Sequence, residues 1–202
     1  MSAGTFLLNI LILGVPFSVA LMLAGLGETI NQRAGVFNLG CEGIMAMGAF
    51  IAFLPPYFLA GTPLAGNANL IGLVLAVVVG AMLGLLFALV VVTFRAPQGI
   101  AGIGLQMLGW GTAGTLFRHY VGGVTGVPGI APVSIPGLSK IPVIGQVFFN
   151  HNPMVYVAFL LVPVFWYILF KTPWGLKVRA VGTYPRAADR KSTRLNSSHR
   201  IR

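Results

Sequence analysis

The chain has 202 residues, of which 56% are hydrophobic and 8% charged, and its mean hydropathy of +0.89 excludes an ordinary soluble domain. The net charge of +10 does not mark a nucleic-acid binder, because residues 1–188 hold eight basic and two acidic side chains while the last fourteen residues add five basic and one acidic. The single cysteine, Cys41, excludes an internal disulfide and a multi-cysteine metal site and reads as a small packing residue.

The first residues, MSAGTF, lack the positive region of a cleavable signal peptide, so the first apolar run is expected to stay in the mature protein. That run, Phe6 to Leu26, contains Pro16 and is long enough to span a hydrocarbon core, which takes roughly 20 helical residues. The polar stretch GETINQRAGVFNLGCEG, residues 27–43, follows and holds the only acidic residues before position 189, Glu28 and Glu42. Its first part, Gly27 to Gly35, is expected to form an interface turn held by a structural Glu28–Arg33 pair. A helix starting near Val36 would bring Asn38 and Glu42 into the membrane on one face, four residues apart. An ionised group there is expensive and faces a cavity or a partner. That face serves either to bond sugar or ribose hydroxyls or to bond another helix.

The second apolar segment is expected to stop at Pro55-Pro56. Tyr57 to Asn69 is then a connector. Leu70 to Phe94 is the cleanest spanning segment, and Ala76, Gly80, Gly84 and Ala88 line small side chains along one face of it, as a packing seam. Gln98 to Leu116 is rich in glycine around Gln106 and Trp110, and two readings stand: a broken or re-entrant segment lining a cavity, or a crowded helix junction. Arg118 to Asn152 reads as a long external loop. Met154 to Phe170 is the last span, with a kink expected at Pro163.

Lys171, Lys177, Arg179 and Arg186 follow that span and place its end in the cytoplasm. Counting back through about five crossings of roughly 20 residues each puts Arg95 and the Glu28–Arg33 turn inside, with the long loop outside. Asn38, Glu42, Gln106 and Trp110 are the side chains best placed to line a route for solute, Trp110 by stacking on a ring. Trp166 and Trp174 read as interfacial anchors. No catalytic or metal site is expected, since the carboxylates are few and far apart and His119 and His151 have no acidic companion.

The polar stretch, with its GE, R, GV, N, G and EG elements, resembles the signature of ABC-transporter permease subunits of the branched-chain amino acid and simple-sugar class, in particular the nucleoside and simple-sugar branch. The segment TPWGLKVRAVGTYPRAA, residues 172–188, is similar to that class's cytoplasmic loop. The resemblance implies an all-α, polytopic membrane helix bundle in the bacterial inner membrane, importing nucleosides or simple sugars. It implies a cytoplasmic ABC ATPase, a second permease subunit in a homo- or heterodimer, and an external solute-binding protein as partners, besides membrane lipid, with no cofactor and no nucleic acid. Thr172, Gly175, Arg179, Ala180, Gly182, Pro185 and Ala187 are the residues it implies for docking the ATPase, with Gly175 and Gly182 expected at sharp turns and Pro185 opening a short helix. ATP hydrolysis would lie on that partner, since the chain has no G-x-x-x-x-G-K-[ST] phosphate loop. The alternatives are a branched-chain amino acid permease of the same class and an ATP-independent secondary transporter or channel.

The tail DRKSTRLNSSH, from Asp189 to His199, is similar to the translation of a common short-read sequencing adapter. Residues 1–188 are therefore expected to be a partial transmembrane permease domain and residues 189–202 a non-native, disordered tail. Genomic DNA beyond codon 188 is expected to continue into further apolar spans; a genuine stop after Arg202 would contradict this.

Overall fold

The computed structural model describes residues 3–123 and 126–184, so Pro185, Ala187 and the adapter-like tail lie outside the described residues. The described chain is a set of helices with one two-residue strand pair. Four segments, Gly4–Arg33, Cys41–Phe58, Ala65–Thr93 and Pro153–Lys171, are long and apolar enough to cross a membrane. This is the all-α, polytopic architecture expected from the hydropathy.

Helix α1 runs from Ala3 to Arg33, through Pro16 and seven residues beyond Leu26. Gly27 to Arg33 is thus the last two turns of a helix, not a turn between helices. Its polar side chains are satisfied locally: Thr29 Oγ1 donates to the Gly25 carbonyl, and Asn31 and Gln32 both donate to Glu28. The helix ends at Gly35, whose φ of +83° is left-handed, and the Val36 N–H then reaches back to the Asn31 carbonyl at 2.9 Å.

Helix α2, Cys41–Phe58, begins five residues later than Val36, so Asn38 lies before it and shares no helix face with Glu42. It also runs through Pro55 and Pro56 instead of stopping there. Both prolines lack the N–H that a helix bonds to the carbonyl four residues back, so the Ile51 and Ala52 carbonyls lose that partner, while the Pro55 carbonyl still accepts from Leu59 N–H. Helix α3, Ala68–Ala88, continues into a π-helical turn at Leu89–Thr93, close to the span read from sequence. Helix α4, Gln98–Tyr120, is a single unbroken helix, longer than the glycine-rich segment suggested. After it come β1 (Val133–Ser134), α5 (Ile144–Phe148) and β2 (Asn150–His151), with β1 and β2 antiparallel. Tyr156 donates its hydroxyl to the Val133 carbonyl and accepts the His151 N–H, which fastens this pair to the next helix. Helix α6, Pro153–Lys171, contains Pro163, and α7, Pro173–Thr183, follows it directly. Both begin with a capping side chain and a proline, Asn152 before Pro153 and Thr172 before Pro173.

The chain divides into two compact units, and the boundary falls inside the polar stretch, between Val36 and Phe37. In the unit that holds α1, α6 and α7, Val19 of α1 packs with Val155 and Ala158 of α6. The other unit, Phe37–Ile130, is α2 packed against both α3 and α4. There α3 runs antiparallel to α2, and Gly72 of α3 lies so close to Ala52 that a Cβ would collide with its backbone. In the expected seam, Gly80 faces Ile44 of α2, whereas nothing lies within 4 Å of a Cβ placed on Gly84.

Against α4 the approach is backbone to backbone. A Cβ on Gly43 would lie 2.6 Å from the Gln106 Cα, and one on Gly109 would strike the backbone of Gly43. Gly43→Val should therefore force α2 and α4 apart, at the roughly 1–3 kcal/mol of an overpacked core. A thermal-unfolding scan of the detergent-purified protein should show a Tm several degrees lower, while Gly84→Ala, with open space for its Cβ, should not lower it.

Candidate functional site

Two places gather the residues singled out in the sequence, one in each unit. The first lies along the α2–α4 contact. The two helices run parallel and in register: the Gln106 side-chain amide donates to Glu42 Oε2 at 2.9 Å, and eleven residues further along both helices the rings of Phe53 and Phe117 meet at 5.5 Å between centroids. Trp110 stands one turn beyond Gln106 on the same face of α4 and is 53% exposed. Glu42, Gln106 and Trp110 are thus brought to one flank of the helix pair.

Asn38 is not part of that flank. It is buried, its Oδ1 accepts the Gly40 N–H at 2.8 Å, and its carbonyl lies 3.5 Å from the Cys41 thiol, so it shapes the entry into α2. Gln98, unremarked in the sequence, reinforces the same entry by accepting the Phe37 N–H at 2.8 Å. Spacing alone gave no sign of this, since residues 37 and 98 are 61 positions apart.

The second place is the seat of α7. Thr172 caps the helix, with its hydroxyl accepting the Gly175 N–H. Gly175 and Gly182 are helical rather than at turns, and both are there for closeness: a Cβ on Gly175 would strike the Leu169 backbone, and one on Gly182 would strike the backbone of Arg33 to Gly35. Arg179 turns inward, its guanidinium carbon 5.1 Å from the centre of the Phe170 ring, and Arg33 approaches the same ring at 5.6 Å. Each contact of this kind contributes about 0.5–2 kcal/mol, more as it is desolvated. The Arg179 Nε is shielded from solvent and has no hydrogen-bond partner among the described residues.

Arg33 therefore faces Phe170, while Glu28, five residues earlier on a continuous helix, faces Asn31 and Gln32. Of the residues implied for docking, Thr172, Gly175, Arg179 and Gly182 all hold α7 in place, and Ala180 lies on its exposed side beside Leu176 and Lys177. Near the start of α6, His151 is buried and bonds the Val147 carbonyl at 2.6 Å, as a structural histidine. Among the described residues no group of His, Cys, Asp and Glu is placed to hold a metal. Lys171 over the Trp166 ring, at 5.6 Å, gives that tryptophan a cationic neighbour at the helix end.

A polytopic apolar helix bundle with a short, basic helix after its last described span defines a multi-pass membrane protein. Comparison with known proteins makes this specific. The family model for the branched-chain amino acid transport system / permease component matches residues 7–191, and the chain belongs to that family. It is 36% identical over 179 residues to a guanosine ABC transporter permease protein of Bacillus subtilis, covering 86% of this chain and 55% of that one. It is 36% identical over 177 residues to a putative glucose ABC transporter permease protein of Haloferax volcanii, covering 87% and 52%. A nucleoside ABC transporter permease protein of Lactococcus lactis is 31% identical over 176 residues, covering 86% and 55%. The chain thus spans just over half the length of these curated relatives, and no solved structure matches it. The family resemblance carried by residues 27–43 and 172–188 is borne out, as is a multi-pass location in the inner membrane.

If Gly182 is the point where α7 rests on the end of α1, Gly182→Val should lift it. A cysteine introduced by Val178→Cys, at a half-buried position, should then react with a maleimide several-fold faster than in the parent, whereas Ala180→Val should leave the rate unchanged.

Proposed function

We propose that the chain is the membrane-spanning part of an ATP-driven importer for nucleosides or simple sugars, with ATP hydrolysis on a separate cytoplasmic subunit. The observation that carries this reading is the joint occurrence of the family match over residues 7–191 with a capped, seated, basic helix directly after α6. The named activities of the relatives, guanosine, nucleoside and putative glucose transport, supply the solute class. An external solute-binding protein delivers the solute, and a second permease subunit completes the path.

In this reading α7 is the element on which the ATPase acts. Its inward residues, Gly175, Arg179 and Gly182, hold it to the ends of α6 and α1, so a push on its outer side is passed on instead of being absorbed. The docking surface is then the exposed side, Leu176, Lys177 and Ala180. Arg179→Glu cannot separate docking from seating, because it removes the contact with Phe170. Leu176→Asp and Lys177→Glu can. Together they should lower solute-stimulated ATP hydrolysis at least ten-fold, with the permease still present in the membrane at parent levels. Coupling that survives both would place docking elsewhere.

Glu42 and Gln106 are the polar pair on the solute path, with Trp110 beside them. Glu42→Gln keeps the side-chain volume and a bond to Gln106 but removes the charge. Uptake in vesicles holding the assembled complex should fall several-fold at unchanged membrane abundance. A loss of the protein from the membrane would instead assign Glu42 to helix packing.

A further inference from the structure

Along the α2–α4 contact, residues 42, 46, 49 and 53 of α2 share one face, and residues 106, 110, 113 and 117 of α4 share the face opposite, at the same spacing. Between them lies an open slot of about 340 Å³, lined by Ala46, Ala49, Phe50, Phe53, Ala113 and Phe117. That volume falls at the lower end of the roughly 300–1,000 Å³ of small-molecule sites. The Phe53–Phe117 pair, tilted at 58°, stands at one end. The Glu42–Gln106 pair stands beyond the other, about one helical turn, or 6 Å, from Ala46.

We infer that this slot is a ring-binding subsite: it takes the flat, apolar-faced ring of a solute whose hydroxyl-bearing part lies against Glu42 and Gln106. The inference rests on the permease reading above and adds the residues and the ring chemistry. Three alanines leave a floor without branches, and phenylalanine edges and faces at the end suit an aromatic ring. The polar pair is spent on one bond only. Glu42 Oε1 and Gln106 Oε1 accept no hydrogen bond among the described residues, so both are open to hydroxyl or N–H donors. A solute with a planar base at one end and a polyol at the other matches this division.

A hexose does not, because it has no flat π-face to lay on the alanines or against the Phe53–Phe117 pair, whereas a base gains that contact with its polar edge turned to the open side of the slot. The subsite therefore selects nucleosides over sugars. Two other cavities in this unit lack the combination. One of about 140 Å³ between Leu86 and Leu108 has only apolar lining, and at the one beside Thr112 and Thr115 the Thr112 hydroxyl is already bonded to Leu108 and Met47.

The test uses vesicles holding the complex with its ATPase and solute-binding protein. In a Cys41→Ser background, Ala49→Cys places a thiol in the slot, and its reaction with a charged methanethiosulfonate reagent is followed with guanosine or glucose present. Guanosine is expected to slow labelling at least five-fold and glucose not at all. Ala113→Leu, which fills the floor, is expected to raise the apparent KM for guanosine at least ten-fold at unchanged membrane abundance.

Equal protection by glucose would overturn the ring selectivity. A thiol that reacts only with an apolar maleimide would overturn the subsite, since the slot would then be covered by lipid or another helix. Normal guanosine uptake with no protection by either solute would also overturn it, while leaving the permease reading intact. ATP-dependent uptake of neither solute by the parent complex would overturn the permease reading itself.

Discussion

The approach of α2 to α4 at Gly43 and Gly109 is the contact on which the rest of the Phe37–Ile130 unit depends. Helices surrounded by lipid gain little from burying apolar side chains against each other, because lipid tails are equally apolar, so their association relies on close van der Waals contact and a few hydrogen bonds. A missing Cβ at each of these two positions lets the backbones touch. Once they touch, the register of the two helices is fixed, and Glu42 meets Gln106 and Phe53 meets Phe117 as a consequence. The polar pair adds direction to a packing whose closeness comes from glycine.

The same device recurs in the other unit, with a different outcome. Gly182 of α7 lies on the backbone around Gly35, and Gly35 itself must be glycine for a second reason, its left-handed φ. Two arginines, one from each of these elements, turn toward Phe170 at the end of α6. Gathering two cations at one ring is tolerable because the ring face is the negative part of its quadrupole. The helix that looks like a loose basic flank in the sequence is therefore held at both ends, by Gly175 on α6 and by Gly182 on α1.

Much of this was legible in the sequence, and the misses share a cause. Hydropathy located the spans well, and α3 was read to within a few residues, since a long apolar run with its small residues on one side has no competing interpretation. Gln98 to Tyr120 was harder. Its glycines lower helix propensity by about 1 kcal/mol each relative to alanine, and from the sequence alone that reads as weakness. In the fold Gly102 is buried against Leu39, just before α2, and Gly109 against Gly43 of α2, where tertiary packing overrides propensity. Asn38 misled for a similar reason: its spacing from Glu42 is helical, but its carboxamide prefers to cap the Gly40 N–H, which holds residue 38 outside the helix.

The polar stretch carries two duties without conflict because the unit boundary divides it. Residues 27–36 end α1 and receive α7, while residues 37–43 open α2 and deliver Glu42 to Gln106. Asn38 sits just past the boundary and, with Gln98, fixes the backbone that leads into α2. The polar residues of the stretch are thus divided by the unit they serve more than by charge.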